Sequence, residues 1–338
     1  MSDVIRDPEA LQDRIGKLGA PRDMKVIDFL DDHARRWISA SPLLFAAFGD
    51  AAARGIALTL GGDAPGFVRV DDDRRLSFPT HSLDAPEPAI AGARFGSLLL
   101  VPGLGETLRV NGRVADVAGG RVTIAVEECY LHCAKAMIRS AFWEAPAGVA
   151  GDDDAPALLA HCRLMALATI DADGRADVSP KGDPAGTLLR LHDGAVWFPD
   201  RPGNRRVDSF RNILSQPRVA VLALLPGSGA CVRLSGTASL STDATMREAF
   251  AVEGKAPTLV TRIDAARLAV QRSEALMRVA PWSRPASPPV GIDPAAIFRD
   301  HVRLSRERGV QAALVRATVS VPGLMRKGLE SDYKKNLY

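Results

Sequence analysis

Three blocks of this chain occur twice in the same order, and that internal repeat restricts the fold more than any other feature. GDAPGFVRVDDDRRLSFP (62–79) aligns with GDPAGTLLRLHDGAVWFP (182–199) at a shift of 120 residues. LLLVPGLGETLRVNGRVA (98–115) aligns with LALLPGSGACVRLSGTAS (222–239) at a shift of 124, and AMIRSAFW (136–143) with ALMRVAPW (275–282) at a shift of 139. Self-similarity over such a span is the mark of a duplicated unit. The competing explanation is that any two β-rich units share Pro-Gly turns and alternating strands. The Pro-Gly and Arg-x-x-Gly shared at matching places favour duplication, and 338 residues suit two units of ordinary size.

The residue pattern gives each unit its character. DPEALQDRIGKL and KVIDFLDDHARRWISAS carry apolar residues at helical spacing, so the first fifty residues read as helix. After Ile56 come short apolar runs broken by turns, as in SLLLVPGLGETLRVNGRVADV and RVTIAVEE, which are expected to be antiparallel strands. CYLHCAKAMIRSAFW (129–143) reads as a helix, and APAGVAGDDDAPA (145–157) as a linker. RLMALATI, a DADG turn, RADVSP and TLLRL-HDG-AVWFP then resume the hairpin pattern. The expected division is a helical segment at 1–50, a first β-unit at 51–145, a linker at 146–157 and a second β-unit at 158–283. A Pro-rich linker, an amphipathic helix and an extended end fill 284–338.

Composition excludes several classes. A net charge of +3 gives no argument for nucleic acid as a partner. No run approaches the roughly 18 apolar residues of a membrane span, and the charged N-terminus lacks a signal-peptide core. Cys129, Cys133, Cys162 and Cys231 show no framework spacing, which points to free thiols and a cytoplasmic location.

The sharpest chemistry lies in the second unit. In DVSPKGD (177–183) a strand ends on Ser179 and Lys181, and DRPGNRRVDSFRNILSQP (200–217) follows about twenty residues later. Pro202-Gly203 forces a turn, and Asn204 or Asp208 is placed to cap a helix continuing through Val207–Leu214. Arg201, Arg205, Arg206 and Arg211 crowd that turn, with Ser209 beside them. A helix N-terminus with several guanidinium groups suits a phosphate monoester. A solvated basic face paired with Asp200 and Asp208 is the alternative.

The order VSPKGD, FPDRPGNRRVDSFRNILSQPRVAVLALLPG, VRLSGTASL resembles the pyridoxamine 5′-phosphate oxidase-related FMN-binding family, in particular its probable FMN-dependent subgroup with a PGNRR turn. KVIDFLDDHARRWISASP, VPGLGETLRVNGRVA and HCAKAMIRSAFW resemble it in the first half. The resemblance implies a mainly β fold with flanking helices, in which two tandem split β-barrels form an intramolecular pseudo-dimer. It further implies that Lys181, Arg205, Arg206 and Ser209 contact an FMN phosphate or ribityl chain, and that Arg233 lies near the flavin.

The two copies are altered in opposite places. Arg201–Arg211 falls on HSLDAPEPAIA (81–91), which has no arginine, whereas His132, Cys133 and Lys135 fall on Gln271, Arg272 and Glu274. Barrels of this family pair with flavins at the interface, so one composite site is expected: phosphate held by the second unit, with His132, Lys135 and Arg139 of the first across the isoalloxazine. His132 is the candidate acid or base. Cys129, His132 and Cys133 also permit a metal reading that needs a fourth ligand, which His161-Cys162 could supply, and a core-packing reading stands beside it. The expected activity is an FMN-dependent oxidoreductase using a small substrate or an electron donor such as NAD(P)H, in a monomer or homodimer. The alternatives are a non-catalytic flavin carrier or sensor, and a split barrel holding haem or a deazaflavin.

Overall fold

The computed structural model describes residues 3–16, 23–50, 55–145, 154–203, 207–321 and 323–338. The first half contains β1 (Val4–Ile5), α1 (Pro8–Ile15), α2 (Asp32–Ala40), β2 (Leu43–Asp50), β3 (Gly55–Gly62), β4 (Arg69–Val70) and β5 (Arg75–Pro79). Then come β6 (Arg94–Leu100), β7 (Thr107–Ala118), β8 (Arg121–His132) and α3 (Lys135–Arg139). The second half runs α4 (Ala155–His161), β9 (Leu164–Ile170), β10 (Ala176–Gly182), β11 (Arg190–His192), β12 (Ala195–Pro199) and α5 (Asp208–Ser215). It continues with β13 (Arg218–Leu224), β14 (Ala230–Ser241), α6 (Ala244–Ala249), β15 (Val260–Arg272) and α7 (Glu274–Val279). Three helices close the chain: α8 (Pro294–Leu304), α9 (Val310–Val319) and α10 (Leu324–Lys335). Among the described residues no helix is long and apolar enough to cross a membrane.

The strands form two antiparallel sheets with one connectivity. The first has the order β3-β2-β6-β7-β8-β5-β4 and the second β10-β9-β13-β14-β15-β12-β11, with β1 added beside β14. Each sheet has a bulge at the same aligned glycine, Gly112 in β7 and Gly236 in β14. A Cβ there would sit 2.0 Å from the Ala125 carbonyl oxygen or 2.2 Å from that of Asp264, so only glycine fits either bulge.

The apolar runs are strands buried on both faces. In β2, Leu44, Ala46 and Phe48 point into the core of the first sheet, while Leu43, Phe45 and Ala47 join a second cluster. β9 repeats this, with Met165 and Leu167 inward and Leu164, Ala166 and Ala168 in that second cluster. The shared cluster is the contact between the sheets, and it also takes in Leu98 and Leu100 of β6, Ala220 and Leu222 of β13, and Met137, Leu276 and Trp282. A period of two puts alternate residues on opposite faces. A run with no polar alternate is therefore the signature of a strand covered on both sides.

The chain ends depart from the expected division. Among the described residues of 1–50 only α1 and α2 are α-helical, and β2 already begins at Leu43. Val4 and Ile5 pair with Ser241 and Leu240, and Leu11 of α1 is buried in the core of the second sheet, so this segment crosses to the other half. The predicted helix over 129–143 is strand as far as His132 and helix only from Lys135. The cross-strand pairing of Cys129 with Val110 and His132 with Thr107 outweighs the helical spacing there. The supposed extended end contains α10. The linker expected at 146–157 lies outside the described residues up to 153, and α4 starts at Ala155, capped by Asp154.

Candidate functional site

A cavity of about 410 Å³ lies where α3 of the first half meets β10 and the segment after β12 in the second. His132, Lys135 and Arg139 line it from one side, and Ser179, Lys181 and Arg201 from the other. Six of the predicted site residues therefore share one hollow, although up to 69 positions separate them in sequence. A second hollow of about 610 Å³, beside Trp143 and Trp282, contains none of them.

The approach of α3 to β10 depends on Gly182. A Cβ on that residue would stand 2.0 Å from the Ala136 carbonyl oxygen, and Arg139 Nε donates to the Gly182 carbonyl at 2.8 Å. Asp183, fully buried, sits between Arg139 and Arg201 at 3.2 and 2.6 Å. Arg201 also donates to the Phe250 carbonyl at 2.9 Å, so this arginine holds the cavity wall in shape as well as lining it. Lys181 differs. Its ammonium lies 4.7 Å from the centre of the Phe210 ring, and no carboxylate among the described residues comes within ion-pair distance. Burial lowers its pKa, opposed chiefly by the charge of Asp200, whose own pKa burial raises. An incoming anion would act in the same direction as Asp200 and offset the effect of burial on the lysine.

Ser209 donates to Ser179 Oγ at 2.7 Å, joining the first turn of α5 to the end of β10. The residue preceding α5 is Val207, with no side-chain cap, and Asp208 is the first helical residue, so the expected capping by Asp208 does not occur. Asn204, Arg205 and Arg206 lie outside the described residues. Arg211 is exposed and does not line the cavity, because it follows Phe210 on the outer side of the helix.

Arg233 requires a further correction. It donates to Gln271 Oε1 at 3.0 Å and to the Leu58 carbonyl at 3.1 Å, away from the cavity. The arginine under the cavity floor is Arg109, 124 positions earlier in the aligned block. It reaches from β7 into the other half, ion-paired with Asp177 at 2.7 Å and donating to Ser179 Oγ at 3.0 Å, to Tyr130 Oη and to the Val178 carbonyl. The alignment already contained this residue; what it lacked was the knowledge that each arginine serves the opposite sheet.

A counterpart region lies where α7 meets β3. Arg278 donates to the carbonyls of Gly62 and Ser82 at 3.1 and 2.9 Å, as Arg139 does to those of Gly182 and Pro202. There, however, Asp84 accepts from Ser273 Oγ at 2.6 Å and from the Ala275 amide at 2.8 Å, so a carboxylate of the chain itself caps the first turn of α7.

His132 ends β8 with its Nδ1 buried and, among the described residues, unpartnered. Burial, then the charges of Arg109 and Lys25, hold its pKa well below 6.5, so the imidazole is neutral at neutral pH. The odd spacing of Cys129 and His132 on a strand sends them to opposite faces, which removes the basis for a shared metal. A histidine that resists protonation when folded supports stability fully above pH 6.5, and that contribution is lost as the pH falls toward its folded value. Within that window each pH unit costs up to about 1.4 kcal/mol. Urea titrations at about pH 7.5 and 5.5 should show this loss, and His132→Asn should abolish the difference attributable to the ring. An unchanged pH dependence in the variant would rule the assignment out.

The family model described as pyridoxamine 5′-phosphate oxidase matches residues 152–276. This part of the chain is similar to the pyridoxamine 5′-phosphate oxidase family. No curated protein matches the chain. Solved structures similar to it include HupZ of Group A Streptococcus, at 23% identity over 33% of this chain and 86% of that one, with a TM-score of 0.26. General stress protein 26 of Bacillus anthracis is 16% identical over 36% and 93%, with a TM-score of 0.28. HutZ, the haem storage protein of Vibrio cholerae, is 16% identical over 32% and 85%, with a TM-score of 0.23. The matched part of the chain contributes Ser179, Lys181 and Arg201 to the cavity, and the preceding half contributes His132, Lys135 and Arg139.

Proposed function

We propose that the chain is a flavoprotein in which two tandem split barrels, descended from one duplicated unit, bind a single FMN at their interface. The observation that carries this reading is the cavity itself, where Lys181 of the second half meets His132 and Lys135 of the first, while the aligned positions hold Gly61, Gln271 and Glu274. The common strand order and the matching bulges support duplication. The counterpart region supports one site per chain, since Asp84 already takes the amide and hydroxyl of α7's first turn and would repel a phosphate.

The residues present fit FMN on chemical grounds. Lys181 is a partly buried cation without a paired carboxylate among the described residues, and Ser179, to which the buried Ser209 donates, lines the cavity with it. Arg205 and Arg206, next in sequence to the cavity wall, would add charge to a phosphate held there. FMN, when bound, supplies hydride or electron transfer. The chain's part is to hold the phosphate with Lys181, to exclude water with the shared apolar cluster, and to present the neutral His132 as a proton acceptor. An oxidoreductase that takes electrons from a small donor such as NAD(P)H follows from this.

Titration with FMN, followed by absorption and by fluorescence quenching, should saturate at one flavin per chain. Lys181→Gln should weaken binding by at least tenfold, equivalent to about 1.4 kcal/mol for a charge-assisted contact. Two flavins per chain, or equal affinity in the variant, would remove this reading. Anaerobic bleaching by NADH or NADPH separates an oxidoreductase from a flavin carrier.

A further inference from the structure

The last segment of the chain reaches back to the composite cavity and takes up its cations. Asp332 Oδ2 lies 2.9 Å from Lys135 Nζ, the Leu337 carbonyl accepts from Arg139 Nη1 at 3.0 Å, and the Tyr338 ring lies 5.5 Å from the Arg201 guanidinium. Tyr333 fastens the segment at the rim, donating to Glu106 at 2.9 Å and accepting from the Ala134 amide at 3.3 Å. Asp332, Asn336 and Tyr338 are all part of the cavity lining.

This contact differs in kind from the packing of the neighbouring helix. α8 buries Ile297, His301 and Val302, whereas α10 has no buried residue at all. Its apolar anchorage is limited to half-buried side chains such as Met325, which packs on the cluster of Val302, Ala312 and Val319, and a segment held mainly by polar contacts opens locally at low cost. Gly323, at φ 74°, precedes α10 and supplies a left-handed backbone at which the segment turns away from α9.

We propose that residues 324–338 form a strap that closes the composite cavity by standing in for an anionic ligand, so that a phosphate-bearing ligand must lift it to bind. Asp332 takes Lys135, the Leu337 carbonyl takes Arg139, and the Tyr338 ring covers Arg201. These are three of the cations expected to meet the flavin, and an anion cannot have them while the strap does. The inference rests on the flavin reading for the natural ligand, but the strap itself is tested by any anion that fits.

Cys133 provides the reporter. It lines the cavity beside the strap and is half-buried, while the other three cysteines are buried. Its alkylation by a maleimide is measured in the full chain, in Asp332→Asn and in a chain ending at Gly323, with and without inorganic pyrophosphate. The strap predicts faster alkylation in both variants without any ligand, and faster alkylation of the full chain once pyrophosphate is added. FMN affinity should rise by about fivefold in Asp332→Asn, the effect of one ion pair released from competition. Equal alkylation rates in all three proteins, or weaker FMN binding in Asp332→Asn, would overturn the proposal. If FMN binds to none of them, the flavin reading falls, and the pyrophosphate arm still decides the strap. Asp332→Asn retains the whole helix, so a poorly folded truncation does not obscure the result.

Discussion

Replacing Arg109 by alanine is expected to lower the unfolding free energy by about 3–5 kcal/mol, the cost of stranding a buried charge. The guanidinium is 1% exposed and joins β7 of the first sheet to β10 of the second through Asp177, Ser179 and the Val178 carbonyl. Its loss removes from the Asp177 carboxylate, on a residue 7% exposed, the 2.7 Å ion pair that crosses the boundary between the halves. Arg109→Lys should recover little, because an ammonium cannot reproduce the planar fork that meets these acceptors together. Urea denaturation followed by far-ultraviolet circular dichroism measures the effect. Arg233→Ala provides the contrast: its partners are the neutral Gln271 amide and the Leu58 carbonyl, so about 1 kcal/mol is expected. Equal losses at the two positions would refute the asymmetry between the composite cavity and its counterpart region.

Gly182→Val is expected to remove flavin binding while leaving most of the fold in place. A branched side chain at that position cannot coexist with the Ala136 carbonyl, which would lie 2.0 Å from the new Cβ, so α3 must move off β10. Lys135 and Arg139 move with the helix, and the Arg139 bond to the Gly182 carbonyl is lost. Overpacking of this kind costs about 1–3 kcal/mol in stability. The effect on the site is larger, because catalytic and binding groups displaced by about 1 Å lose about a hundredfold. Gly55→Ala serves as the control, since a Cβ there meets nothing within 4 Å. A Gly182→Val protein that binds FMN as tightly as the parent would show that α3 does not form one wall of the site.

Much of the architecture could be read from residue order. The repeated blocks correspond to strands and helices at equivalent positions of two sheets with one strand order, and RLMALATI was legible as a strand, whereas the run that forms β2 was read as helix. The DVSPKGD strand and the HCAKA segment, both singled out in the sequence, do meet at one cavity. The strand ending at His132 was misread as helix, since its apolar residues fit both periods and only pairing with β7 decides between them. The strap was missed for a related reason: the apolar residues of α10, Met325, Leu329 and Tyr333, are only half-buried, and their spacing does not say what they dock on.

What the sequence determined by itself was the inventory: two β-units of one pattern, a single basic segment, and complementary losses between the copies. Those are properties of residue type and spacing along one chain. Only the tertiary structure decided which groups meet. It set Arg109 rather than Arg233 beneath the cavity, gave Arg201 a carboxylate and a carbonyl to hold, and brought Asp332 onto Lys135. The physical reason is that each of these contacts crosses between the halves or spans much of a barrel. Their partners are fixed by how the two doubly buried sheets pack together, and local spacing carries no record of that packing.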